Sequence, residues 1–164
     1  MTLYEIINLD MMKIAIGSDH AGFELKEDLR QYLHGRNVEV VDLGVSDSSP
    51  VDYPDIGSTV AQKVSQGEIE RGILICGSGI GMSIVANRFP GVRAALCYGV
   101  EGARISREHN NANVLILGGR MTSKELAREI LRVWLQSDFQ GGRHERRLDK
   151  IKLLEEKMSK GAKL

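Results

Sequence analysis

The stretch Gly72-Ile-Leu-Ile-Cys76-Gly77-Ser78-Gly79-Ile80-Gly81 sets the reading of the whole chain. Gly72–Cys76 is short, almost wholly apolar and rich in β-branched side chains, as a strand covered on both faces must be. Three glycines at alternate positions follow at once, and Ile80–Arg88 then carries a helical period. A strand, a tight glycine turn and a helix together open a βαβ unit. Glycines in such a turn let backbone N–H groups approach an anion, and a helix start favours negative charge there.

The same alternation runs outward in both directions. Lys13–Gly17, Val38–Asp42, Val92–Leu96 and Asn113–Leu117 read as further strands. Phe23–His34, Asp55–Gln66, Gly102–Glu108 and Ser123–Leu135 read as helices. Strands separated by helices imply a parallel sheet, and right-handed crossovers place helices on both of its faces. The expected fold is α/β, a Rossmann-like three-layer sandwich on a five-stranded parallel sheet. Gly141-Gly142 closes this series. The charged segment after it places Leu148, Ile151 and Leu154 on one face, so an amphipathic C-terminal helix is expected at about 143–158. Such a helix packs either on a neighbouring subunit or on its own domain. Residues 12–158 are expected to form a single domain, with residues 1–11 as an extension. Met11 and Met12 stand just before the first strand, where translation could naturally start.

The composition narrows the function classes. With 164 residues, the chain is long enough to bury one core. Lys+Arg and Asp+Glu both number 22, so the basic surplus of a nucleic-acid binder is missing. Aromatics are 5%, little material for stacking bases. No apolar run approaches the roughly 20 residues that span a bilayer. Cys76 and Cys97 are too few for a disulfide framework and have no zinc spacing. A cytoplasmic protein with no nucleic-acid or membrane partner is therefore expected.

Ligands of open parallel sheets bind beyond the carboxyl ends of the strands. Three nucleotide or phosphatase patterns fail at the glycine loop. A dinucleotide fingerprint would have its third glycine, and a cysteine phosphatase its arginine, where Met82 stands. A Walker loop would need a lysine, and this loop has none. What remains is an anion or oxyanion cradle made by Gly77, Gly79 and Gly81, or a tight turn without ligand. Cys76, just before the cradle, could be a nucleophile, a general base or a small buried hydrophobe. Helix-terminal amides favour a thiolate at such a position. Cys97 has no such loop and reads as buried. Redox pairing of the two thiols would require their strands to be neighbours. Asp19 and His20 end the first strand, where Asp19 could alternatively cap a helix. His109 and Asn110 precede the fifth strand, and Arg120 follows it. Arg143 and Arg147 lie four apart on one helix face, a phosphate clamp or a solvated face beside Glu145.

Together these pieces resemble the type B ribose-5-phosphate isomerase family, which includes the galactose-6-phosphate isomerase subunits. The matching motifs are Gly17-Ser-Asp-His-Ala-Gly22, Asp52-Tyr-Pro-Asp55, Ile75-Cys-Gly-Ser-Gly-Ile-Gly81, Ala86-Asn-Arg88, Ser106-Arg-Glu-His-Asn110 and Gly141-Gly-Arg-His144. They keep the family's order over about residues 12–155.

The resemblance implies an aldose–ketose isomerase of a phosphosugar, in the pentose phosphate pathway, with no metal and no cofactor. It implies that Cys76 moves the proton from C2 to C1 and that Ser78 binds the enediol oxygens. The backbone from Gly77 to Gly81 would stabilise the enediolate. His109 would open the furanose ring, while Asp19 and Asn110 hold the sugar. His20, Arg120, Arg143 and Arg147 would gather round the phosphate. One branch of the family uses a glutamate at the position of Met82, so this chain resembles the cysteine branch. The site would lie between subunits of a homodimer, or of a dimer of dimers, with two equivalent shared sites per dimer. Six-carbon aldose 6-phosphates are the alternative substrates, and a non-catalytic phosphate-binding module is the alternative outside enzymes. Tyr98-Gly-Val-Glu101 departs from the family pattern and leaves sugar preference open.

Overall fold

A computed structural model of the chain describes residues 12–34, 36 and 38–161. The expected extension, residues 1–11, lies outside the described residues. The elements are β1 (Lys13–Ser18), α1 (Phe23–His34), β2 (Glu39–Asp42), α2 (Tyr53–Ser65), β3 (Arg71–Cys76), α3 (Ile80–Ala86), β4 (Ala94–Leu96), α4 (Val100–Asn110), β5 (Val114–Gly118), α5 (Lys124–Gln136) and α6 (Arg143–Ser159). A short 3-10 turn, His20–Gly22, joins β1 to α1.

The five strands form one parallel sheet in the order β2-β1-β3-β5-β4. Alternation along each strand divides the core in two. Ile14, Ile16, Ile73, Ile75, Leu115 and Leu117 face a layer that includes Leu29 of α1, Ala103 of α4 and Trp134 of α5. Ala15, Leu74, Val114 and Ile116 face Val60 of α2 and Met82 of α3. This is the expected three-layer α/β sandwich. The central strands β3 and β5 are buried along their whole length, which is why they read as unbroken apolar runs.

Several element ends differ from the sequence reading for local reasons. Helix α2 begins two residues early because Pro54 suits a first turn, where its missing N–H costs nothing. Strand β4 begins two residues late. The Asn113 side chain takes the Arg93 N–H at 2.7 Å, and the Asn87 side chain takes the Ala94 N–H at 2.9 Å. Helix α6 packs on its own domain, where Glu155 accepts the Gly91 N–H at 3.1 Å. It nevertheless leaves Ile151, Leu153, Leu154 and Met158 exposed.

Candidate active site

The carboxyl edge of the sheet carries a crevice between β1 and β3. Helix α1 leaves β1 on one face and α3 leaves β3 on the other, so the chain diverges there and a ligand can enter. Strand register levels the edge: Ser18 pairs with Ile75, and Cys76 with Gly118. A cavity of about 550 Å³ opens at this point, lined by Asp19, His20, Tyr53, Cys76, Ser78 and Arg120 among others.

Cys76 is the last residue of β3, and its side chain is buried against the layer that holds Met82. The loop then folds back over it, so that Gly79 N–H donates to Cys76 Sγ at 3.2 Å. Such a bond strengthens when the sulfur is ionised. Gly79 can take this shape because its φ is +83°, and a Cβ there would lie 2.5 Å from Leu96 Cδ1. The Gly77 and Ser78 N–H groups make no hydrogen bond within the described residues. Ser78 Oγ accepts the Ile80 N–H at 3.2 Å, which leaves its own proton available to a ligand. Met82 is fully buried under α2. At the position where the resemblance offered a carboxylate alternative, the side chain belongs to the core.

Asp19 is buried, and its Oδ1 accepts the N–H groups of Ala21 and Gly22 at 3.0 and 3.1 Å. The capping alternative therefore describes one of its two oxygens. His20 Nδ1 accepts the Val51 N–H at 3.3 Å. In the neutral ring this assigns the proton to Nε2. Arg120 is exposed at the end of β5, with Nη1 lying 3.4 Å from where a Gly77 Cβ would stand. A guanidinium and an imidazole thus border the same mouth as the thiol.

His109 and Asn110 stand elsewhere. They end α4, which returns the chain to the start of β5. Cys76 is level with the far end of that strand, Gly118, four residues on from its start, or about 13 Å at the usual rise. The two groups therefore occupy opposite edges of the sheet within one chain. Beside His109 is the start of α6. His109 and His144 stack with ring centroids 4.1 Å apart and planes 9° from parallel. Exposed Arg143 and Arg147 flank His144 on this helix.

Burial pushes the His144 imidazolium below its ordinary range, and His109, Arg143 and Arg147 push the same way. The unfolded chain therefore takes up this proton near pH 6.5, while the folded chain does so only at lower pH. Stability from His144 is intact above that range and falls as pH drops through it. The thermal midpoint should fall between about pH 7.5 and pH 5.5, with a shallower fall in His144→Phe. Equal slopes in the two proteins would remove His144 as the cause.

The two thiols are also far apart. Strand β5 separates β3 from β4, and two strand spacings give about 9–10 Å, beyond disulfide reach. Cys76 packs on one face of the sheet and Cys97 on the other. Burial pushes the Cys97 thiol up to about 11. The redox pairing considered from sequence is thus corrected, while the buried reading of Cys97 agrees with the structure. Among the described residues, no three His, Cys, Asp or Glu side chains converge as metal ligands. No helix in the described residues is long and apolar enough to cross a membrane.

Three further side chains to which the sequence reading gave no role stand at these two places. Tyr53 lies against Gly81, where a Cβ would sit 2.5 Å from its Cζ. Its signal was the matching Asp52-Tyr-Pro-Asp55 segment. His144, within the matching Gly141-Gly-Arg-His144, stacks on His109. Tyr98 touches the cradle and had no motif to mark it.

Comparison with known proteins agrees with this geometry. A sequence model described as Ribose/Galactose Isomerase matches residues 14–151. Ribose-5-phosphate isomerase B of Escherichia coli K12 is 46% identical over 147 residues, covering 90% of this chain and 99% of that protein. A D-erythrulose-4-phosphate isomerase of Pectobacterium atrosepticum is 42% identical, covering 86% of this chain and 93% of that protein. A solved structure of Clostridium thermocellum ribose-5-phosphate isomerase B superposes with a TM-score of 0.88 and 51% identity, covering 90% of this chain and 99% of that one. With the family model, the sequence identity over matched length and the superposed fold in agreement, the chain is a sugar-phosphate isomerase and belongs to the ribose/galactose isomerase family.

Proposed function

We propose that this chain interconverts ribose 5-phosphate and ribulose 5-phosphate through an enediolate, with Cys76 as the proton-transfer base. The observation that carries the reading is the thiol at the carboxyl edge, held by the Gly79 N–H and bordered by a glycine cradle, His20 and Arg120. A proton alpha to a carbonyl is weakly acidic, so its removal needs a base and a place for the developing charge. The Cys76 thiolate takes the C2 proton, and the C2–H electrons form the C1–C2 double bond as O1 becomes negative. Backbone N–H groups of Gly77 and Ser78 and the Ser78 hydroxyl stabilise that oxygen. The O2 proton passes to O1, the thiol returns its proton to C1, and C2 becomes the carbonyl. The phosphate does not react, and its binding energy holds the reacting carbons in place.

The active unit is a homodimer, or a dimer of dimers, with each site shared. The distance between Cys76 and His109 within one chain supports this reading. A second copy brings His109, Asn110, Arg143 and Arg147 to the mouth that holds Cys76, His20 and Arg120. His109 then opens the sugar ring, Asp19 and Asn110 hold the sugar, and the arginines close on the phosphate. The exposed apolar residues of α6 are available to such contact. A free thiol base also fits a reducing cytoplasm.

Relatives in this family carry different substrate names, so a six-carbon aldose 6-phosphate is the second reading. Cys76, His109 and the arginines occur in one chain, which favours a homo-oligomer and the pentose. Turnover of ribose 5-phosphate and of allose and galactose 6-phosphates, with chelator present, tests both. The expected result is pentose turnover that chelation leaves unchanged and that exceeds six-carbon turnover by at least about tenfold in kcat/KM. A six-carbon preference would overturn the substrate. No turnover of either class would favour a phosphate-binding module.

A further inference from the structure

Tyr98 follows β4, and 45% of its surface is exposed, so packing alone does not explain its orientation. Its hydroxyl donates to the Ser78 carbonyl oxygen at 2.7 Å, a short bond between two loops at the carboxyl edge. That carbonyl belongs to the same planar peptide unit as the Gly79 N–H, which donates to Cys76 Sγ at 3.2 Å. The two bonds therefore act on opposite ends of one rigid plane. We propose that Tyr98 is a positioning residue: by holding the Ser78 carbonyl, its hydroxyl keeps the Gly79 N–H aimed at the Cys76 sulfur.

The loop needs such a brace. Gly79 adopts φ +83°, in a region where glycine moves freely, and the unit is not part of a helix or ladder. Leu96 fixes the Gly79 Cα side by contact, but a contact on carbon sets no direction for the N–H. A donor on the carbonyl does set it. It also polarises the amide, since hydrogen bonds in a chain strengthen one another. A more polarised N–H is a better partner for a sulfur that must carry charge before it takes a proton. Tyr98 itself touches the loop on the side away from the sulfur, so its effect reaches the reaction through the peptide.

This inference rests on the reading of Cys76 as the base, and Tyr98→Phe in the full chain tests it. The substitution removes one exposed hydroxyl and leaves the ring. Three quantities are measured: kcat and KM on ribose 5-phosphate, the rate at which iodoacetamide alkylates Cys76 at fixed pH, read on the Cys76 peptide, and the thermal midpoint. Removal of one neutral hydrogen bond should lower kcat by about five- to tenfold and slow alkylation by a similar factor. KM should stay within about twofold, as expected for a group that does not touch substrate. Unchanged kcat with unchanged alkylation would overturn the inference. So would an effect confined to KM, or a protein unfolded at the assay temperature. If the wild-type chain turned over no phosphosugar, the functional reading would fall, and the alkylation comparison would still decide the role of Tyr98.

Discussion

Cys76→Ala is expected to lower kcat on ribose 5-phosphate by about 10³-fold while changing KM by less than about threefold. In the proposed mechanism the sulfur carries the proton from C2 to C1, and it is the cavity's thiol, held by the Gly79 N–H at 3.2 Å. Asp19 is the nearest rival by chemistry, but its Oδ1 is committed to the backbone of Ala21 and Gly22. The phosphate grip proposed for His20 and Arg120 does not involve the sulfur, so binding should be spared. The fold is spared too, because removing one buried sulfur costs on the order of 1 kcal/mol. Steady-state kinetics and a thermal melt on the same preparation check both halves. A kcat within tenfold of wild type would remove Cys76 as the base and leave the family assignment standing.

His109→Asn should lower kcat/KM by about a hundredfold, the usual contribution of one general acid–base group. Ribose 5-phosphate rests largely as a closed ring, and the proposed role of the His109 imidazole is to move the protons that open it. Asparagine keeps polarity and approximate size at a half-buried position but cannot exchange a proton in this range. Within its own chain the substitution lies at the opposite sheet edge from Cys76, so the fold of the cradle loop is spared. Full activity in His109→Asn would leave ring opening to another group.

Much of this architecture was legible in the residues. Apolar runs such as Arg71–Cys76 and Val114–Gly118 announced buried parallel strands because both of their faces need covering. Gly77, Gly79 and Gly81 marked the cradle, and Gly79 is the one that combines a positive φ with a close approach only glycine allows. Boundaries were less legible where side chains rewrote the backbone bonding. Asn87 and Asn113 shorten β4 through bonds to Ala94 and Arg93, and sequence periodicity carries no trace of them. The separation of Cys76 from Cys97 depended on strand order, which placed β5 between them. Tyr98 stood out only within a segment that departs from the family pattern, and its role was not legible because an exposed tyrosine after a strand has no period and its bond runs to a backbone oxygen. The same strand order also shows why residues that read as one constellation occupy two edges of the sheet.

That separation makes subunit sharing the central claim, and mixing two inactive variants tests it most directly. Cys76→Ala and His109→Asn proteins would be partially unfolded together, refolded at equal amounts and assayed on ribose 5-phosphate. Random pairing makes half the dimers mixed, and each mixed dimer holds one site with both Cys76 and His109 intact. The shared-site account predicts recovery to about a quarter of the wild-type rate. A mixed sample no more active than the sum of its parts, with subunit exchange confirmed by mass, would contradict it.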